Sequence, residues 1–214
     1  MSLLTVVVLT NPFTSAAAGN CASVSFLDGV ALDGVLFDRD GTLVVDVPYN
    51  GDPDAVVPKP TARAAVALLR QHGMRTGVVS NQSGIGRGLL DREQVERVNA
   101  RVDALLGPFD VWRICPHAEQ DGCACRKPAP GLILAAAKAL GTRPERLAVI
   151  GDIGSDMRAA HAAGARAVLV PTQATRVEEV TEAPEVARDL HTAVTLLLAR
   201  RLAYRRASRW DEGS

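Results

Sequence analysis

Apolar residues follow two rhythms along this chain: short unbroken runs, and stripes spaced three and four residues apart. Val35-Leu36-Phe37, Met74 to Ser80, Phe109 to Ile114, Leu147 to Ile150 and Ala167 to Val170 are the runs. They read as strands buried on both faces. Between them the spacing turns helical. Ala62, Ala65, Leu68 and Leu69 share one face of a helix that Thr61 can cap and Gly73 can end. Asp91 and Gln94 match a capping box for a helix running to about Leu106. Further helices are expected over Gly131–Leu140, Ser155–Ala163 and roughly Glu185 to Leu202.

Strands separated by helices require right-handed crossovers. The predicted fold is therefore α/β, a doubly wound parallel sheet with helices on both faces, Rossmann-like in plan. In such sheets ligands gather beyond the carboxyl ends of the strands. The expected organisation is one domain over residues 31–202, preceded by an extension over 1–30 and followed by a tail over 203–214. Within the extension, Leu4 to Leu9 looks like a strand and Asn11 to Ser23 is small, polar and turn-rich.

Composition narrows the partners. Of 214 residues 47% are apolar and 22% charged, and 24 Lys plus Arg balance 24 Asp plus Glu. No global field attracts nucleic acid or a membrane, so any anion site must be built from local groups. Arg200, Arg201, Arg205, Arg206 and Arg209 gather near the end, where a solvated helix and tail account for them. No apolar run reaches the ~18 residues of a membrane span. No Lys or Arg precedes Arg39, so the basic start of a signal peptide is missing and a cytoplasmic protein is expected. Cys21 is isolated, whereas Cys115, Cys123 and Cys125 lie close together with His117, a pattern of metal binding rather than of disulfides.

The strongest chemical signal is Phe37-Asp38-Arg39-Asp40-Gly41-Thr42-Leu43, at the end of the first buried strand. Two acids this close repel, which favours a hard cation with oxygen ligands. One can then attack phosphorus while the other moves protons. The next strand ends in Ser80-Asn81-Gln82-Ser83-Gly84, whose hydroxyl, amide and main-chain N–H groups suit phosphate oxygens. Lys127, in Cys125-Arg126-Lys127-Pro128, offers a cation, and Gly151-Asp152-Ile153-Gly154-Ser155-Asp156 supplies further acids at the end of another strand. Each alone is more ordinary as a cap, a turn or a surface charge; their joint placement carries the argument.

Asp38-x-Asp40, Ser80, Lys127 and Gly151-Asp152-x-x-x-Asp156, in that order, resemble the four motifs of the haloacid dehalogenase superfamily over residues 33–200 or so. The resemblance implies a phosphatase domain in which Asp38 is the nucleophile and Asp40 the general acid and base. It also implies Mg²⁺ held by Asp38, the Asp40 carbonyl and Asp152. Ser80 and Lys127 would bind the transferred phosphoryl group, with Asp156 supporting the metal site or Lys127. Only 39 residues separate Asp40 from Ser80, and 46 separate Ser80 from Lys127. A helix and a strand already fill these intervals, so a capless member is expected.

Cys115-Pro116-His117, five residues, then Cys123-Ala124-Cys125 forms a second constellation. Three thiolates and one imidazole complete a tetrahedral Zn²⁺ shell with no position for water, so the metal would be structural and would staple its loop. Together with Asp-Arg-Asp-Gly-Thr and Ser-Asn-Gln-Ser-Gly-Ile-Gly-Arg-Gly, this loop is similar to the branch formed by D-glycero-D-manno-heptose 1,7-bisphosphate phosphatases and histidinol-phosphate phosphatase domains. Ser80 stands where that branch more often has Thr, keeping the hydroxyl. A small phosphorylated sugar, best a heptose bisphosphate, is the expected substrate of a monomeric enzyme. Histidinol phosphate, or a silent zinc-stapled binding module, are the alternatives. Substrate contacts are assigned to Asn81, Gln82, Ser83, Arg87 and Arg126, the two arginines suiting a second phosphate. His72, His161, His191, Trp112 and Ile114 read as structural.

Overall fold

The strand Gly34–Phe37 (β1) lies at the centre of a five-stranded sheet, and all four of its residues are buried. A computed structural model describes residues 31–211, apart from the side chains of 202–211. The expectations for residues 1–30, Cys21 among them, fall outside the described residues, as do those for the last three positions.

The other strands are Arg75–Asn81 (β2), Val111–Cys115 (β3), Leu147–Gly151 (β4) and Arg166–Leu169 (β5). Every pairing is parallel, and the spatial order is β3-β2-β1-β4-β5. The helices are Ala62–Gln71 (α1), Ser83–Gly86 (α2), Arg92–Leu106 (α3), Gly131–Ala139 (α4), Gly154–Ala163 (α5), Val177–Glu182 (α6) and Leu190–Asp211 (α7). Alternate strand residues point to opposite faces. Val35, Phe37, Val78, Ile150 and Val168 therefore meet α1, α3 and α7, whereas Leu36, Val79, Val149 and Leu169 meet α4 and α5. Two cores, one on each face, make the doubly wound plan that the apolar runs predict. Among the described residues no cap domain interrupts it, and no helix is long and apolar enough to cross a membrane.

Local departures have local causes. Asp91 and Gln94 do form the reciprocal capping box of α3, but Thr61 makes no side-chain cap bond to α1. Helix α7 starts at Leu190 rather than Glu185, because the Asp189 carboxylate accepts the Thr192 N–H at 2.7 Å and sets the start there. Residues 185–187 are instead extended along β5: Leu169 N–H donates to Glu185 O and Ala187 N–H to Leu169 O. The same helix runs on to Asp211, through most of the positions expected as a tail. The short helices α2 and α6 were not expected.

Candidate active site

Strand register brings the motif residues to one edge. Phe37 is level with Val78 on β2 and Ile150 on β4, so Asp38 leaves the sheet beside the ends of both neighbours. Its N–H donates to Ile150 O at 2.9 Å. The chain then turns tightly, Leu43 and Val44 donating to Arg39 O at 3.0 and 3.1 Å. Gly41 has a φ of +79°, and a Cβ on it would collide with the Asp152 carboxylate. Only glycine serves both needs at that position.

Lys127 is buried and ties three elements together. Its ammonium donates to Asp38 Oδ1 at 2.5 Å and to Val79 O at 2.8 Å, and pairs with Asp156 Oδ1 at 2.6 Å. Burial alone would favour the neutral amine; the charges of Asp156 and Asp38 overcome it and hold the proton more firmly than usual. Asn81, expected to touch substrate, spends its amide on Lys127. Its Nδ2 donates to Lys127 O and its Oδ1 accepts the Lys127 N–H, each at 3.0 Å.

Three buried carboxylates, Asp38, Asp152 and Asp156, thus face a single buried ammonium. Burial pushes Asp38 well above the ordinary carboxylate range; Lys127 opposes this, and Asp156, Asp40 and Asp152 add to it. Burial, reinforced by Asp156, lifts Asp152 to about 6. Surplus buried negative charge of this kind suits a divalent cation with oxygen ligands. Asp152 is held for the purpose: Thr42 Oγ1 donates to its Oδ1 at 3.2 Å and Thr175 Oγ1 to its main-chain carbonyl at 2.5 Å.

Asp40 is gripped from two sides. Arg39, only 2% exposed, donates from Nε to both carboxylate oxygens at 3.0 and 3.2 Å and from Nη2 to Oδ2 at 2.9 Å. Gln82 Nε2 donates to the same Oδ2 at 2.8 Å and to Ser80 Oγ at 2.9 Å. The Ser80 hydroxyl thus accepts from Gln82 with one lone pair and keeps its own proton to donate. Gln82, expected on the substrate, is buried with both amide protons directed at protein groups.

The remaining candidates are less buried. Ser83 opens α2 and is half-buried. Arg87 is exposed, donates to Tyr49 OH at 2.9 Å and lies over its ring at 6.0 Å. Arg126 is half-buried, and its Nη1 is buried without a hydrogen-bond partner among the described residues.

Behind this edge, the ligand atoms of Cys115, His117, Cys123 and Cys125 all lie within 4.8 Å of one another and could hold a metal ion. The Sγ to Nδ1 separations to His117 are 3.5 Å from Cys115 and 3.3 Å from Cys125, and the three Sγ atoms are 3.3 to 3.6 Å apart. A tetrahedral zinc site with Zn–S arms of about 2.3 Å has edges of about 3.7 Å, so the cluster is close to that size already. Burial pushes the Cys115 thiol up to about 12. On Cys123 burial is outweighed by N–H donors, first that of Arg126, which bring the thiol down to about 6. The loop also braces the segment after β2, since Gln82 N–H donates to Cys115 O and Gly86 N–H to Pro116 O.

Sequence reasoning missed Arg39, Asn99, Thr42, Thr172 and Thr175. Arg39 and Thr42 stand inside the first motif; for the others no local signal exists, because their contacts cross from α3 and from the segment after β5.

Residues 124–194 match the family model described as HAD-hydrolase-like. A D-glycero-β-D-manno-heptose-1,7-bisphosphate 7-phosphatase of Pseudomonas aeruginosa is 36% identical over 143 residues, 64% of this chain and 80% of that protein. Its counterpart in Pseudomonas putida is 38% identical over 64% of this chain and 82% of its own length. Among solved structures, D,D-heptose 1,7-bisphosphate phosphatase from B. bronchiseptica, complexed with magnesium and phosphate, superposes with a TM-score of 0.70 at 29% identity. The match covers 78% of this chain and 98% of that one.

Proposed function

Because the chain belongs to the D-glycero-β-D-manno-heptose-1,7-bisphosphate 7-phosphatase family of HAD-like phosphatases, we propose that it removes the 7-phosphate of a heptose 1,7-bisphosphate through Asp38. The observation that carries this reading is Lys127, buried and bridging Asp38 to Asp156 beside Asp152.

Asp38, held at a strand end by Lys127, attacks phosphorus as the bond to the sugar oxygen breaks. Asp40 gives that oxygen its proton, and later takes one from the water that hydrolyses the aspartyl-phosphate. Ser80 donates its free hydroxyl proton to a phosphoryl oxygen, while Lys127 offsets charge on the transferred group. Asn81 and Gln82 act behind these groups, fixing Lys127 and Ser80. The carboxylates of Asp38 and Asp152, with the Asp40 carbonyl, would hold Mg²⁺, which supplies charge neutralisation for the phosphoryl oxygens. Cys115, His117, Cys123 and Cys125 would hold a structural Zn²⁺ that steadies the loop against Gln82 and Gly86. Arg126, whose buried Nη1 has no hydrogen-bond partner among the described residues, would meet the phosphate that stays on the sugar, with Arg87 and Ser83 as further contacts.

Phosphate release measured on heptose 1,7-bisphosphate, fructose 1,6-bisphosphate and histidinol phosphate tests the substrate. The heptose ester is expected to have the highest kcat/KM. A preference for histidinol phosphate would replace the substrate while leaving the chemistry at Asp38 intact.

A further inference from the structure

Adjacent residues rarely bond side chain to side chain, yet Arg39 turns back onto its neighbour Asp40 through three N–H contacts. What holds it there lies sixty positions away. Its remaining Nη1 donates to Asn99 Oδ1 on α3 at 2.7 Å, and the whole side chain is buried. A buried guanidinium must be met by an anion and by acceptors for its other protons. Asp40 supplies the first and Asn99 the second, so neither Arg39 nor the carboxylate plane of Asp40 is free to turn.

We propose that Arg39, anchored by Asn99, is a positioning residue that aims Asp40 at the leaving oxygen, a role resting on the phosphatase reading above. When the P–O bond to the alcohol breaks and the Asp38 O–P bond forms, the proton of Asp40 passes to the alcohol oxygen. The carboxylate left behind then forms against a guanidinium already in place, with no reorganisation needed at that moment. Helix α3 thereby enters the chemistry without touching substrate.

The leaving group provides the test. An alkyl phosphate needs a proton on its departing oxygen, whereas p-nitrophenolate departs without one. kcat/KM reports the chemistry through formation of the aspartyl-phosphate, the step in which that proton is given. Asn99→Ala and Arg39→Lys should each lower kcat/KM for heptose 1,7-bisphosphate about tenfold or more, part of the roughly 10²–10⁴ a placed proton donor contributes. For p-nitrophenyl phosphate the same variants should lose less than about twofold. Asn99→Ala removes only the anchor, so it keeps the test available should the Arg39 variant fold poorly. Equal losses on both substrates, or no loss on either, would overturn the proposal. Asp38→Asn serves as the control: if it retained turnover of both esters, the phosphatase mechanism itself would fall.

Discussion

Asp152 shows how one residue's surroundings shape the chemistry. It is buried beside Asp156, and its carboxylate accepts from the Thr42 hydroxyl on one oxygen and the Thr172 hydroxyl, at 3.5 Å, on the other, too little to offset that burial. Its proton therefore stays on to about pH 6. The folded pKa is raised above the unfolded value, so the folded state holds a proton that the unfolded chain has released. In the metal-free protein this stabilising proton is present at low pH and lost as pH rises through about 6. For Mg²⁺ the sign reverses, since only the ionised carboxylate binds. Calorimetric titration should show Mg²⁺ affinity falling at least about tenfold between pH 7 and pH 5, as protons compete at Asp152 and, adding to it, at Asp38. An affinity unchanged across that range would show that Asp152 does not hold the ion.

At the scale of elements, the loop between β3 and α4 depends on its four metal-type ligands. It contains little apolar surface of its own: Cys123 and Cys125 are only partly buried, and residues 119–122 are exposed. Purified without chelators, the protein should carry about one Zn²⁺ per chain, and Cys123→Ser should abolish tight binding. The same change should raise proteolysis in 116–126 and, through Gln82 and Gly86, weaken turnover. Metal analysis finding no zinc would remove the staple from the account. Much of this scale was legible beforehand. The strands read out because parallel strands buried on both faces must be apolar throughout, and the cysteine loop because its spacing has few other uses. Helix α6 did not, being six residues long with no apolar stripe. Its place is set by Glu179, buried and held by Arg176, where a Cβ on Gly154 would strike it. Nor did the extended run 185–187, whose partner, β5, is remote from any local pattern.

Across the whole molecule, function comes from register. Asp38, Ser80, Lys127 and Asp152 belong to four separate segments, and the sheet order β3-β2-β1-β4-β5 is what sets them side by side. Asp38, Ser80 and Asp152 stood out in the chain because each sits where a strand ends, and Lys127 because it stands just before α4. The duties of Asn81, Gln82 and Arg39 did not, since a side chain's partner across the sheet is not written beside it. The central claim is that Asp38 itself carries the phosphoryl group. Enzyme mixed with heptose 1,7-bisphosphate and Mg²⁺, quenched in acid within one turnover and mapped by mass spectrometry, tests that claim directly. One phosphoryl group on the peptide containing Asp38, absent from Asp38→Asn, is the expected result. Phosphate released with that peptide never modified, and with Asp38→Asn turning over normally, would contradict it.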